Sequence, residues 1–102
     1  LVMWRFTHIY PDGPTIYYTI VAPGKRGDAI NQWDAVKKAA SDAIVANGGT
    51  ITHHHAVGRD HRPWYEQSRP ALMGKALERI KQSMDPCWIL NPEVLIAPKK
   101  HL

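Results

Sequence analysis

Hydrophobic residues are concentrated in two short runs at the start of the chain, with a polar, turn-rich sequence between them. Both runs, 2–10 and 15–21, are rich in β-branched and aromatic residues, as strands usually are. The Pro-Asp-Gly-Pro sequence at 11–14 favours a chain reversal, because proline presets φ and Asp-Gly supports a tight turn. The pattern therefore predicts two antiparallel strands joined by this turn.

The next stretch has the hydrophobic period of an α-helix. Asp28 stands at the position of an N-cap, and the Asn-Gly-Gly sequence at 47–49 is typical of a helix end. Between them, apolar residues recur at helical spacing: Ile30, Trp33, Val36, Ala40 and Ile44. We predict one long helix between the aspartate and the glycines.

A second helical region follows after a segment with strand character. Residues 50–55 have the β-branched start of a third strand, and 58–62 are predicted to form a charged loop. Pro63 predicts the first turn of a short helix, and Ser68 is predicted to cap a second long one.

The second long helix has an apolar face and a clear end. Its apolar positions are Met73, Leu77, Ile80 and Met84, and an Asp-Pro pair at 85–86 stops it. Residues 88–96 are predicted to form an irregular buried tail. The order strand, strand, helix, strand, helix predicts an α+β fold, with an antiparallel sheet and helices packed on one face.

Composition restricts the class of protein. With 102 residues, 44% of them hydrophobic and 22% charged, the chain fits one small globular domain, and disorder is excluded. Cys87 is the only cysteine, so we interpret it as a packed thiol and expect a reducing compartment, the cytoplasm. The tryptophans at apolar-periodic positions, Trp4, Trp33 and Trp88, are predicted to be core.

The positive charge of the chain is modest and dispersed. The net charge is +4, and no compact basic stripe is interleaved with aromatic residues, so we expect no nucleic-acid partner. The last three residues, Lys-His-Leu at 100–102, differ from a peroxisomal signal because the first is not small, and we interpret them as a tail.

Three consecutive histidines, His53, His54 and His55, are the chemically richest feature of the chain. In an extended strand, His53 and His55 would lie on one face and His54 on the other. Imidazole titrates near neutrality and can donate, accept or bind a metal, so the run suits catalysis, cofactor contact or metal binding. Its internal position between globular flanks argues against a purification tag or a low-complexity tract.

The histidines belong to a longer pattern that resembles a known family. Residues 47–58 precede a helix that ends at the Asp-Pro pair, and an Ile-Leu-Asn-Pro sequence follows at 89–92. This order resembles the C-terminal end of FAD-linked oxidases of the vanillyl-alcohol-oxidase type, and among them the alkyldihydroxyacetonephosphate synthases. Most relatives carry Glu-His-Gly-x-Gly where this chain has residues 54–58, whereas the synthases carry a triple histidine.

The resemblance implies how the chain is organised. Residues 1–102 would be one C-terminal fragment of the substrate, or cap, domain, and an absent N-terminal domain would hold most of the FAD. No glycine-rich phosphate loop is present in the fragment, which alone should be inactive. For the full-length protein the resemblance implies a lipid-like small-molecule substrate, a homodimer and peripheral contact with a membrane.

A metal ion is not expected. Hydroxyacid dehydrogenases of the same superfamily place two metal-binding histidines around an Asp-Gly turn. Here His8 precedes the turn with an extra residue between them, while Ile16 and Tyr17 stand at and beside the position of the second ligand. We interpret His8 as a structural histidine.

The resemblance also implies a reaction. The synthases exchange the acyl chain of an acyl-dihydroxyacetone phosphate for a fatty alcohol through a flavin adduct, without net redox change. Such a reaction needs an acid/base residue, and Tyr17 aligns with the tyrosine proposed for that role in the synthases. The pattern alone does not decide between Tyr17 and Tyr18, one of which is expected to be a packing aromatic.

Other side chains have implied roles in the same site. His53, His54 and His55 are expected to pack against the flavin and the substrate and to stabilise developing negative charge. Arg59 and Arg62 are expected to contribute to phosphate binding through bidentate hydrogen bonds.

Two other functions stay open at this stage. The first is an FAD-linked dehydrogenase or oxidase of a 2-hydroxyacid or another alcohol, in which histidine acts as the base. The second is a non-catalytic metal-binding module, for which stoichiometric zinc in the purified chain would be the sign.

Overall fold

The computed structural model describes residues 1–98, and these form two strands and three helices. The elements are β1 (Val2–Tyr10), β2 (Gly13–Ile20), α1 (Ala29–Ala46), α2 (Arg62–Ser68) and α3 (Ala71–Met84). A two-stranded antiparallel sheet with three helices is an α+β fold, as predicted. The contacts divide the chain into two units, residues 1–34 and the part that begins at Ala35. The predicted tail at 100–102 lies outside the described residues.

The two strands form a hairpin with a two-residue turn. Pro11 and Asp12 make the turn, and Gly13 begins β2 with a φ of +140°, a value that side chains rarely allow. The antiparallel register is regular until a bulge between Thr7 and Ile9. Both predicted strands and their turn are thus confirmed.

The hairpin has one apolar face and one mixed face. Side chains alternate along each strand, and Trp4 pairs with Tyr18 while Arg5 pairs with Tyr17. The apolar face consists of Val2, Trp4, Phe6, Ile16, Tyr18 and Ile20. Trp4 is 60% exposed, so the prediction that it is core was wrong. A two-stranded ribbon buries little of either face by itself.

Helix α1 ends in a motif that its glycines make possible. Gly48 has a φ of +76°, and its N–H donates to the carbonyl of Val45 at 3.0 Å. The N–H of Gly49 donates to the carbonyl of Ile44 at 2.9 Å. This pair of bonds is a Schellman motif, which satisfies carbonyls that have no partner within the helix. The predicted helix end is confirmed.

Helices α2 and α3 follow each other closely. Pro63 lies in the first turn of α2, as predicted. Ser68 was predicted to cap α3, but it is the last residue of α2, and its hydroxyl donates back to the carbonyls of Trp64 and Tyr65. The N-cap of α3 is Pro70, which makes no side-chain cap bond. None of the described helices is long and apolar enough to cross a membrane.

The end of α3 is held by a buried carboxylate. Asp85 is 8% exposed and accepts hydrogen bonds from Lys81 and from the backbone N–H groups of Ile89 and Leu90. The hydrogen bond from Lys81, together with those from the backbone, lowers the pKa of Asp85 below its ordinary value, against the effect of burial. The predicted stop at 85–86 therefore also fixes the start of residues 88–96, the closing segment.

Three predictions of burial were wrong or only partly right. Trp33 is 54% exposed on α1, and Cys87 is exposed, so neither is a core residue. In the closing segment Ile96 is buried, but Ile89 and Leu90 are 73% and 64% exposed. Apolar periodicity identifies one face of an element, but only a packing partner buries that face.

The predicted third strand is absent from the described residues. Residues 50–55 form bends, and the sheet consists of β1 and β2 alone. A strand requires a neighbour that satisfies its backbone N–H and C=O groups, and β1 and β2 pair only with each other. The β-branched residues before the histidines thus form an irregular segment.

Candidate functional site

The three histidines form one continuous imidazole surface. All three are exposed, and the rings of His54 and His55 lie 4.1 Å apart, measured between centroids. The rings of His53 and His54 are 5.6 Å apart, and their Nδ1 atoms are separated by 3.4 Å. The expectation of two separate faces was wrong, because the segment bends instead of extending as a strand.

A shallow cleft begins at the last of these histidines. Its volume is about 390 Å³, and it is lined by residues 55–61 together with Val94. Ala56 has a φ of +64° and Gly58 a φ of +60°, so the chain passes twice through the left-handed region directly after the histidines. This conformation costs an alanine more than a glycine. The turn therefore needs support from the residues around it.

His61 is a functional candidate that the sequence reasoning missed. Its Nδ1 lies 3.2 Å from the carbonyl oxygen of Ala56, and its Nε2 lies 2.8 Å from Nζ of Lys37 on α1. Its backbone N–H donates to the carbonyl of Val57, and its carbonyl accepts from Tyr65 in α2. In the sequence it was one of four polar loop residues, and no local pattern distinguished it.

A second contact joins α1 to α2. The indole N–H of Trp64 donates to the Asp42 carboxylate at 2.8 Å, and Lys38 donates to the same carboxylate. The hydrogen bonds from Lys38 and then from Trp64 lower the pKa of Asp42 below its ordinary range. The segment from the histidines to α2 is thus anchored on α1 at two places.

The two predicted arginines contact the closing segment. Nε of Arg59 donates to the carbonyl of Pro92 at 2.9 Å, and a terminal N–H of Arg62 donates to the carbonyl of Glu93 at 2.8 Å. Arg62 also lies 3.8 Å from the Glu66 carboxylate. These contacts attach residues 92–93 to the region of the cleft, and a role in phosphate binding stays a prediction.

Tyr17 and Tyr18 differ clearly in their surroundings. Tyr17 is half-buried on the mixed face of the hairpin, and the guanidinium carbon of Arg5 lies 4.9 Å from the centroid of its ring. Tyr18 is 49% exposed on the apolar face. Tyr17 belongs to the first unit and the histidines to the second. Arg5 therefore lies over the ring of Tyr17, on the face of the hairpin opposite to Tyr18.

Comparisons with known proteins identify relatives along nearly the whole chain. The alkyldihydroxyacetonephosphate synthase of Dictyostelium discoideum is 33% identical over 99 residues, which are 95% of this chain and 16% of that protein. The synthase of Caenorhabditis elegans is 33% identical over 90% of this chain and 16% of its own length. The protein named uncharacterized FAD-linked oxidoreductase YgcU of Escherichia coli (strain K12) is 24% identical over 92% of this chain and 20% of its own length. No solved structure matches the chain.

A protein family matches most of the chain, as the single relatives do. The chain spans about one sixth of the length of the two synthases, so it corresponds to one part of those proteins. The family described as FAD linked oxidases, C-terminal domain, matches residues 1–95. That range includes both strands, all three helices and the histidines. The chain therefore belongs to the family of FAD linked oxidase C-terminal domains.

Proposed function

We propose that this chain is the substrate-side part of an FAD-dependent enzyme that exchanges the acyl chain of an acyl-ketone phosphate for a fatty alcohol. The observation that carries the proposal is the continuous surface of three exposed imidazoles beside a cleft. The similarity to two proteins named alkyldihydroxyacetonephosphate synthase supports it. In this exchange a fatty acid leaves, the alcohol oxygen takes its place on the same carbon, and no net oxidation occurs.

The histidine surface fits the ring system of a flavin. Exposed imidazoles in contact with one another offer aromatic faces for stacking and N–H groups for the ring oxygens and nitrogens. His53, His54 and His55 would hold the ring, while its phosphates and adenine would be bound outside this chain. When bound, FAD supplies the reactive centre that allows the carbon–oxygen bond of the substrate to exchange.

The exchange requires a proton to move at the carbon next to the ketone. Tyr17, as its phenolate, would accept that proton as a general base, and the resulting phenol would return it later as a general acid. Arg5 would hold the ring in position through its contact with the aromatic face. N–H groups of the histidines would stabilise the enolate-like oxygen and the departing carboxylate.

The phosphate of the substrate needs donors with fixed geometry. A guanidinium has five N–H donors, so the single bond from Arg59 to a carbonyl leaves it the capacity to bind phosphate oxygens. Arg62 also lies beside the Glu66 carboxylate, and its remaining N–H groups could bind the phosphate. Both side chains are held in place by hydrogen bonds to residues 92–93. An arginine held in this way binds a phosphate at a lower entropic cost than a freely moving one.

The first test uses the full-length protein with Tyr17→Phe, and Tyr18→Phe as the matched control. Loss of the phenolic oxygen of Tyr17 should reduce exchange of a radiolabelled fatty alcohol by roughly 100-fold or more, with FAD still bound. Tyr18→Phe should remain within about threefold, because that ring lies on the opposite face. Full exchange activity in Tyr17→Phe would contradict the assignment of this residue.

A second function has an observation of its own in its favour. The chain is also similar to a protein named as an FAD-linked oxidoreductase, which suggests net oxidation of an alcohol or a hydroxyacid. In that case a histidine would accept the substrate proton while a hydride leaves for the flavin. Lasting loss of flavin colour on anaerobic mixing with a hydroxyacid would support this function over the exchange.

A further inference from the structure

We propose that His61 is a positioning residue, which holds the turn at Ala56 and thereby aims the three histidines. The inference rests on the proposed function, because it assigns the means by which the histidine surface keeps its geometry. It starts from one strained position, since Ala56 follows His55 directly and has a φ of +64°. Most L side chains avoid this region, so the turn relaxes unless something holds it.

The two contacts of the His61 ring determine its tautomer. A lysine ammonium has only donors, so Nε2 must accept from Lys37. A carbonyl has only acceptors, so Nδ1 must carry the hydrogen and donate to Ala56. Each partner thus requires the same form of the imidazole. Lys37 selects the tautomer that can hold the turn.

The backbone of His61 gives the ring a fixed base. Its N–H is bonded to Val57, and its carbonyl accepts from Tyr65 in the first turns of α2. Since the carbonyls of Ala56 and Val57 both accept hydrogen bonds from His61, the chain between His55 and α2 forms a compact loop. Gly58 belongs to the same loop, and its carbonyl accepts from Leu95. A change in the ring of His61 therefore acts on the chain directly next to His55.

Two conservative variants separate the two ring contacts. Asparagine places an N–H donor where His61 has Nδ1, so His61→Asn keeps the bond to Ala56 and loses the one to Lys37. Glutamine reaches the position of Nε2, so His61→Gln keeps an acceptor for Lys37 and loses the bond to Ala56. The proposal requires these two substitutions to have unequal effects.

The experiment measures exchange and bound FAD in the full-length protein. His61→Gln should lower kcat by roughly 10- to 100-fold with FAD bound, because small misplacement of catalytic groups is costly. His61→Asn should stay within about threefold of the parent. Equal losses in both variants, or no loss in His61→Gln, would overturn the proposal.

A second-site change supplies the decisive control. Glycine adopts a positive φ at little cost, so Ala56→Gly should make the turn independent of His61. The loss caused by His61→Gln should therefore shrink to about threefold or less in the Ala56→Gly background. An undiminished loss would overturn the proposal. If His61→Gln yields no folded protein, the double variant with Ala56→Gly is tested for folding instead. Recovery of folded protein would support the proposal, and no recovery would overturn it.

The failure of this inference is distinguishable from failure of the proposed function. If the parent protein exchanges fatty alcohol and His61 proves unimportant, only the inference is wrong. If no variant and no parent protein shows exchange, the proposed function is wrong. In that case the visible circular dichroism of the bound flavin still tests the inference, because it reports on the histidine surface. The spectrum should change in His61→Gln and not in His61→Asn, and an unaltered spectrum in His61→Gln would overturn the inference.

Discussion

At the scale of single residues, aromatic contacts and hydrogen bonds define the site. Tyr17 differs from Tyr18 because only its ring faces Arg5. The three histidines touch one another, and the turn that follows is in hydrogen-bond contact with His61 through the carbonyl of Ala56. Tyr17 and the three histidines could be predicted as candidate site residues from the sequence. The role of His61 could not, because its partners Lys37 and Ala56 are separated along the chain by 24 and 5 residues and meet only in the fold.

Asp85 provides a prediction at the same scale, on stability. Its pKa is lowered below the ordinary 3.8 by Lys81, so its stabilising effect is complete above that pH and is lost as the pH falls through the folded value. Asp85→Asn should lower the unfolding midpoint at pH 7, and the difference from the parent should shrink as the pH falls through the lowered pKa of Asp85. Denaturant unfolding at several pH values measures this.

An exposed aspartate of α1 serves as the control for that experiment. Asp34→Asn removes the same charge without the backbone and lysine bonds that Asp85 accepts. It should change the unfolding midpoint little at any pH. Equal pH dependence for the two variants would contradict the proposed role of Asp85.

At the scale of elements, local signals were sufficient for some features and not for others. The turn at Pro11 and the helix end at Gly48 depend on the backbone preferences of nearby residues, so both were predicted correctly. The prediction of a strand at 50–55 was wrong, because a strand needs a pairing partner and no local sequence pattern reveals one. The prediction that Trp4 and Trp33 are core residues failed for the same reason. Whether a side chain is buried depends on what packs against its face of the element.

The helix end at Gly48 allows a direct test of this reasoning. Gly48→Ala forces a side chain into a φ of +76° and should destabilise the fold by about 1 kcal/mol. Gly24→Ala is the matched control, since nothing lies near its added Cβ and its φ is not positive. It should change the free energy of unfolding by less than about 0.5 kcal/mol. Equal effects in chemical denaturation would contradict the assignment of the Schellman motif.

At the scale of the whole molecule, the chain corresponds to one part of its longer relatives. It belongs to the FAD linked oxidase C-terminal domains and spans about one sixth of the synthases that it resembles. The family was recognisable from the order of the motifs in the sequence. The substrate is a proposal, because relatives named as synthases and as oxidoreductases both match this chain.

The central claim is that the full-length protein exchanges chains without net oxidation. The most direct measurement is anaerobic incubation with an acyl-ketone phosphate and a labelled fatty alcohol, with the product and the flavin spectrum followed together. We predict labelled alkyl-ketone phosphate in equal amount to the fatty acid released, and a flavin that is oxidised at the end. Absence of labelled product, together with lasting flavin reduction by a hydroxyacid, would contradict the account.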